Sequence, residues 1–231
     1  MTGPRRSWLF TPGTRPDRFG RAAEAGADVL ILDLEDAVAP AAKSRARADV
    51  LAFLAGARPA GTAVALRINA LRTPDGLADL SALLAAPAQP DYVVVPKVES
   101  ADELGLIDAW MASRGSPARL VALIESAGGL AGADAIARAT PRLAALMLGA
   151  ADLAADLGAV AAWEPLLLGR ATVVRAAALG GLLAIDAPCF VLRDAETLAP
   201  LDRVAQRPAR LLAAMFLGPV RLIDNLAVPA A

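Results

Sequence analysis

Short apolar runs recur along the chain, and longer alanine-rich segments of helical period fill the gaps between them. The runs are Ser7 to Phe10, Val29 to Leu34, Ala63 to Ile68, Tyr92 to Val95, Leu120 to Ile124, Leu143 to Leu148, Leu182 to Ile185 and Ala213 to Leu217. Strands that are apolar on both faces and separated by crossover helices form a buried parallel sheet. Eight of them predict an α/β fold closed as a (β/α)8 TIM barrel, with residues 1–231 as one domain. An open doubly wound sheet is the competing arrangement, and only the count of eight argues against it. No Ser/Gly linker or charge block divides the chain, and no short repeat is visible.

Helices are expected over Asp17 to Ala25, Ala41 to Leu54, Ala101 to Ser113 and Trp163 to Leu179. Pro40 suits a helix start, and Ser100 with Glu103 has the spacing of a capping box.

The chain contains no histidine. Ser-His and Cys-His catalysis, His-ligated zinc and a histidine base are thereby excluded. Lys+Arg and Asp+Glu stand at 23 and 24, so there is no basic field for nucleic acid. A single Cys189 permits no intrachain disulfide and fits a reducing compartment. No apolar leader and no 18-residue apolar span is seen, so a cytoplasmic protein without membrane partners is expected.

In a barrel, chemistry gathers where the strands end. Just past the runs come Thr11 to Arg15, Asp33-Leu34-Glu35-Asp36, Arg67 with Asn69, Pro96-Lys97, Glu125-Ser126, Gly149-Ala150-Ala151-Asp152, and Asp186. Doubly buried strands give little other reason for Arg67 or Glu125. Each residue also has a plainer reading. Asp152 could be a helix cap, although Ser126 could cap in place of Glu125. The acids at 33–36 could pair with Lys43 or Arg45, and Lys97 with Glu99 at the surface. Arg15, Arg18 and Arg21 fit a solvated helix face, and Gly128-Gly129 eases a loop into a helix without a phosphate-loop pattern. Cys189 reads as a small buried hydrophobe.

Two carboxylates with water make a hard-oxygen site for Mg²⁺, leaving positions open for substrate. A 2-oxo or 2-hydroxy acid can chelate there, and an arginine nearby can balance an enolate or a second carboxylate.

Several stretches carry a family resemblance: RSWLFTPGTRPDRF (6–19), GADVLILDLEDAVAPAAKSRAR (26–47), LRINALRTPDGLADL (66–80), VVVPKVESADEL (93–104), LVALIESAGGL (120–130) and LGAADLAADLG (148–158). GLLAIDAPCFVLRD (181–194) matches more weakly. The chain resembles the citrate lyase β-subunit-like proteins of the HpcH/HpaI aldolase superfamily. That resemblance implies Mg²⁺-binding TIM barrels assembled as trimers or hexamers. It implies Glu125 and Asp152 as metal ligands on one rim, Arg67 as the substrate arginine, and Asp33, Glu35 and Asp36 beside the metal and its waters. The amides of Gly149, Ala150 and Ala151 would hold the oxoacid carboxylate.

Three positions depart from the family pattern. Ala151 stands where glutamate is frequent, and Gly128 where arginine is common. A late G-F-x-G-K-x-x-I-H-P segment is replaced by AAMFLGPVRLIDNLAVPAA. In relatives that segment helps bind the CoA thioester, and the part after it supplies a lid between subunits. The missing histidine also argues against the histidine-using pyruvate aldolases.

The resulting expectation is a Mg²⁺-dependent carbon–carbon lyase joining or parting a 2-oxo acid and an acyl thioester. A thioesterase of the same family and an oxoacid-binding paralogue without turnover are the alternatives. The C-terminus reads as shortened, with a brief helix at Pro219 to Leu226 closing the barrel through Val220, Ile223 and Leu226. An oligomer without a lid, an open metal site and weak activity on CoA esters follow from that reading.

Overall fold

A computed structural model describes residue 5, residues 7–56 and 60–188, and the backbone of 210–212. Strands and helices alternate: β1 (Trp8–Pro12), α1 (Pro16–Ala23), β2 (Val29–Asp33), α2 (Lys43–Ala55, entered through a 3-10 turn at Pro40–Ala42) and β3 (Ala63–Arg67). There follow α3 (Pro74–Ala85), β4 (Tyr92–Val95), α4 (Ala101–Ser113), β5 (Arg119–Ile124), α5 (Ala127–Ile136) and β6 (Leu143–Leu148). The series ends with α6 (Ala150–Asp156), α7 (Trp163–Gly180), β7 (Leu183–Pro188) and β8 (Arg210–Leu212). Every strand pairs in parallel with the next, so the sheet order is the sequence order.

Seven expected strands lie where their apolar runs stand. The eighth differs: β8 occupies Arg210–Leu212, just ahead of the run at Ala213 to Leu217. That run, Cys189 and the tail helix at Pro219 to Leu226 lie outside the described residues.

Alternation along the strands divides two cores. Leu30, Leu32, Val64, Leu66, Val93, Val95, Ala122 and Leu146 pack with helix residues such as Phe19, Val50, Leu80, Leu104 and Ile136. Val29, Ile31, Ala63, Ala65, Val94, Val121, Leu123, Ala145 and Met147 form the other core, on the face turned from the helices, with the rings of Trp8 and Tyr92 tilted against each other at 5.2 Å. Side chains on a strand alternate, so this second series continues upward to Asp33, Arg67, Glu125 and Gly149 at the strands' C-terminal ends. The site is thus the top layer of a column of apolar residues.

Capping follows local chemistry in places. Thr73 accepts the Gly76 amide at 3.1 Å with Pro74 at the helix start, and Ser126 accepts from Gly129 at 3.0 Å. Ser100 precedes α4 but makes no side-chain cap, and the Glu103 carboxylate takes Arg72 and the Glu99 amide rather than the Ser100 amide of a capping box. Among the described residues no helix is long and apolar enough to cross a membrane.

Candidate functional site

The register of β2 against β3 sets Asp33 opposite Arg67. Arg67 Nε and Nη2 each donate to one Asp33 oxygen at 2.7 Å, a bidentate pair that fixes the guanidinium plane. Its third nitrogen, Nη1, lies 2.8 Å from Glu35 Oε2 and 3.5 Å from Asp36 Oδ2, and the ring of Phe10 sits 5.1 Å from the guanidinium carbon. Burial opposes the charge on Arg67, but the charge and hydrogen bonds of Asp33 and the charge of Glu35 outweigh it, so its pKa rises.

Lys97 adopts φ 53°, a left-handed conformation that a residue with a Cβ holds only under constraint. Two contacts supply that constraint. Its amide donates to Glu125 Oε1 at 2.8 Å, and its ammonium reaches Glu35 Oε1 at 2.6 Å. The same Nζ lies 3.2 Å from Asp152 Oδ2 and 3.6 Å from Asp36 Oδ1. Burial disfavours this cation, yet the hydrogen bond and charge of Glu35, with Asp36 and Glu125, raise its pKa.

Glu35 and Glu125 are buried carboxylates. Burial pushes Glu125 up to about 8, and the charges of Glu35 and Asp152 add to it. Glu35 goes up to about 7, burial again leading and exceeding the opposing pull of Arg67 and Lys97. Glu35 Oε2 is close to Arg67 Nη1 but receives no aligned hydrogen bond. The two observations agree: the contact is a charge pairing in distance, without the direction a hydrogen bond needs. The oxygen is therefore a buried acceptor short of a donor.

Asp152 sits in the first turn of α6, half-exposed, and Gly149 holds the cap position. The plain reading of Asp152 as a cap is thus set aside. Gly149 has a steric role: a Cβ there would stand 2.6 Å from Glu125 Cβ and overlap its carboxylate. The Gly149 amide donates to Ile124 O at 2.9 Å. Ala150 and Ala151 occupy the first positions of α6, where amides point out of the helix end.

Other expectations resolve differently. Lys97 pairs with the acids of the β2 loop and Asp152, while Glu99 pairs with Arg72 at 2.5 Å. Arg45 bonds Asp49 on its own helix. Lys43 does reach the acidic loop, but through the carbonyls of Leu34 (2.9 Å) and Glu35 (3.0 Å) and through Asn69 Oδ1 (2.5 Å). Asn69 in turn donates to buried Asp79, which Arg47 also holds at 2.6 Å. Arg47 and Asp79 escape a reading of the strand ends because they stand on helices α2 and α3, whereas Asn69 is itself a strand-end residue. One signal was available: the chain has two lysines among 23 basic residues, and both reach this rim.

Among the described residues no trio of acidic side chains is preassembled around one point. Instead the Lys97 ammonium stands between Glu35, Asp36 and Asp152, with Glu125 beside its amide. A cation lodged among carboxylates and a buried acceptor lacking a donor give this rim hard oxygens of the kind a divalent ion completed by water would take. A cavity of about 530 Å³ opens there, lined by Lys97, Glu125, Asp152, Ser126, Arg72 and Thr73.

The HpcH/HpaI aldolase/citrate lyase family model matches residues 6–206. The chain belongs to that family. It is 35% identical over 219 residues to the L-malyl-CoA/beta-methylmalyl-CoA lyase of Cereibacter sphaeroides, an alignment covering 84% of this chain and 69% of that one. Its fold is similar to the crystal structure of RipC from Yersinia pestis, with TM-score 0.79 and 43% identity over 94% of this chain and 91% of RipC. It is also similar to CitE from Mycobacterium tuberculosis in complex with magnesium, acetoacetate and coenzyme A, with TM-score 0.77 and 34% identity over 92% of this chain and 78% of CitE.

Proposed function

We propose that the chain is a Mg²⁺-dependent carbon–carbon lyase that parts or joins a 2-oxo acid and an acyl-CoA thioester, of the citryl-, malyl- or citramalyl-CoA type. One observation carries the reading. At the mouth of a cavity, half-exposed Asp152 meets the Lys97 ammonium at 3.2 Å while buried Glu125 accepts the Lys97 amide at 2.8 Å, which brings both carboxylates to one tethered residue. The similarity to a malyl-CoA lyase and to a magnesium- and coenzyme A-bound CitE supports it.

Glu125 and Asp152 would hold the metal, which would supply a Lewis acid for the oxoacid's carboxylate and neighbouring oxygen. In cleavage, the hydroxyl proton passes to water held by Glu35 and Asp36, the electron pair of the breaking carbon–carbon bond forms the thioester enolate as the oxoacid carbonyl forms, and a proton returned from that water to the enolate carbon gives the acyl thioester. Arg67, pinned by Asp33, keeps only Nη1 free of that grip, and this edge balances the enolate charge. Glu35 and Asp36 hold water beside the site. The amides of Ala150 and Ala151 receive the acid's carboxylate, while Gly149 contributes space.

The sequential parallel sheet with an eighth strand beside β7 supports a closed (β/α)8 barrel with residues 1–231 as one domain. A homotrimer or hexamer is part of the same reading, and exposed Val160 and Leu168, 73% and 79% accessible, are residues to examine at its interfaces. Light scattering reads the assembly. Incubation with malyl-CoA or citramalyl-CoA, with and without Mg²⁺, tests the reaction. Metal-dependent release of the oxoacid is the expected result, whereas free thiol without oxoacid would mark a thioesterase. Metal-dependent oxoacid binding without turnover would mark a binding paralogue.

A further inference from the structure

The Lys97 side chain contacts three carboxylates of the site and stands on a strained backbone that aims it there. We propose that Lys97 is a tethered cation that fills the carboxylate cluster in the metal-free protein and must withdraw for a divalent ion to enter. The inference rests on the metal reading given above.

The geometry of exchange favours this. Asp152 Oδ2 lies 3.2 Å from Nζ and belongs to a carboxylate assigned to the metal. A divalent ion on that carboxylate would meet the ammonium at close range, and like charges so placed disfavour joint occupancy. The anchor of Lys97 is separate from its load. Its amide holds Glu125 Oε1, so the side chain can swing away without releasing that carboxylate. The exit exists as well, since the Lys97 side chain is 43% accessible and lines the cavity.

Residue type fits the same role. Arginine serves nearly everywhere else in this chain, including the fixed bidentate partner of Asp33. A guanidinium grips a carboxylate in a rigid fork, whereas an ammonium is a point charge on a flexible stem and leaves more readily. Lys43, the other lysine, is tied to two carbonyls and Asn69 and, among the described residues, pairs with no carboxylate.

Two measurements test the proposal. Calorimetry of the full chain with Mg²⁺ compares wild type with Lys97→Met, which keeps an unbranched stem of similar length but removes the charge. Binding at least tenfold tighter in the variant is expected, with a lower Tm before metal is added, while Lys97→Arg gains no affinity. Unchanged or weaker Mg²⁺ binding by folded Lys97→Met overturns the proposal. In wild type, residue-resolved reductive methylation should accelerate severalfold at Lys97 when Mg²⁺ is saturating, with Lys43 unchanged as internal control. An equal or slower rate at Lys97 under saturating Mg²⁺ also overturns it, even if the variant does not fold. Absence of Mg²⁺ binding by wild type and Lys97→Met alike overturns the metal reading itself, a different failure.

Discussion

Arg67 and Asp33 face each other across adjacent strands and share two parallel hydrogen bonds of 2.7 Å, so the remaining Arg67 nitrogen, Nη1, is the one turned to Glu35 and Asp36. Asp33→Ala leaves a buried guanidinium without its main counter-charge. The expected cost is about 3–5 kcal/mol of stability, the range for breaking one side of a buried ion pair. Asp33→Asn keeps the shape and tests orientation: kcat should fall by about 10²-fold or more, with a smaller change in KM. Denaturant unfolding and steady-state kinetics check the two outcomes.

Gly149→Ala forces a methyl group into the Glu125 side chain. Overpacking of this kind costs about 1–3 kcal/mol. Glu125 must move, and Mg²⁺ affinity should drop by about 10–100-fold, as for lost support of a metal ligand. Calorimetry and thermal melting of Gly149→Ala against Ala150→Gly, which adds no atoms, separate crowding from a general helix effect.

The pH dependence has a definite sign. Burial raises Glu125 to about 8 and Glu35 to about 7, both above the ordinary value of 4.5. A carboxyl group raised on folding adds stability below its unfolded pKa and loses it as pH climbs through the folded value. Metal-free protein should therefore lose Tm between about pH 4.5 and pH 8. A bound divalent cation favours the ionised forms, so the Tm gain from Mg²⁺ should grow from pH 6 to pH 8, with proton release in calorimetry. A Mg²⁺-induced gain that shrinks over that interval contradicts the assignment.

Lys43→Met removes three hydrogen bonds that tie the β2 loop to Asn69. The Glu35 backbone then loses a support, so Mg²⁺ affinity and kcat should both fall, and Lys43→Arg should restore little because its fork does not match the same three acceptors. Asp79→Ala, farther from the cavity, should cost stability first, since Arg47 and Asn69 each lose a buried partner.

Much of this was legible from residue order. Strands buried on both faces read as unbroken apolar runs, and period two carries each inner series upward to Asp33, Arg67 and Glu125. The pairing of those residues was less legible, because it depends on strand register rather than spacing. Lys97 illustrates the limit: by sequence it neighbours Glu99, but its positive φ turns it toward Glu35 and Asp152. Ser100 and Glu103 show the converse, a local capping pattern undone when Arg72 arrives from another loop. The eighth strand begins ahead of its apolar run, since Arg210–Leu212 pairs with β7.

The central claim is that Glu125 and Asp152 hold the ion on which carbon–carbon cleavage depends. The most direct test measures malyl-CoA cleavage and Mg²⁺ binding together for wild type, Glu125→Gln and Asp152→Asn. Wild type should cleave only with Mg²⁺. Each variant should lose at least about 10²-fold in kcat/KM, a transition-state loss near 2.7 kcal/mol, and should bind Mg²⁺ at least tenfold more weakly while remaining folded. Cleavage that persists without divalent metal, or variants that keep wild-type Mg²⁺ affinity and turnover, would contradict the account.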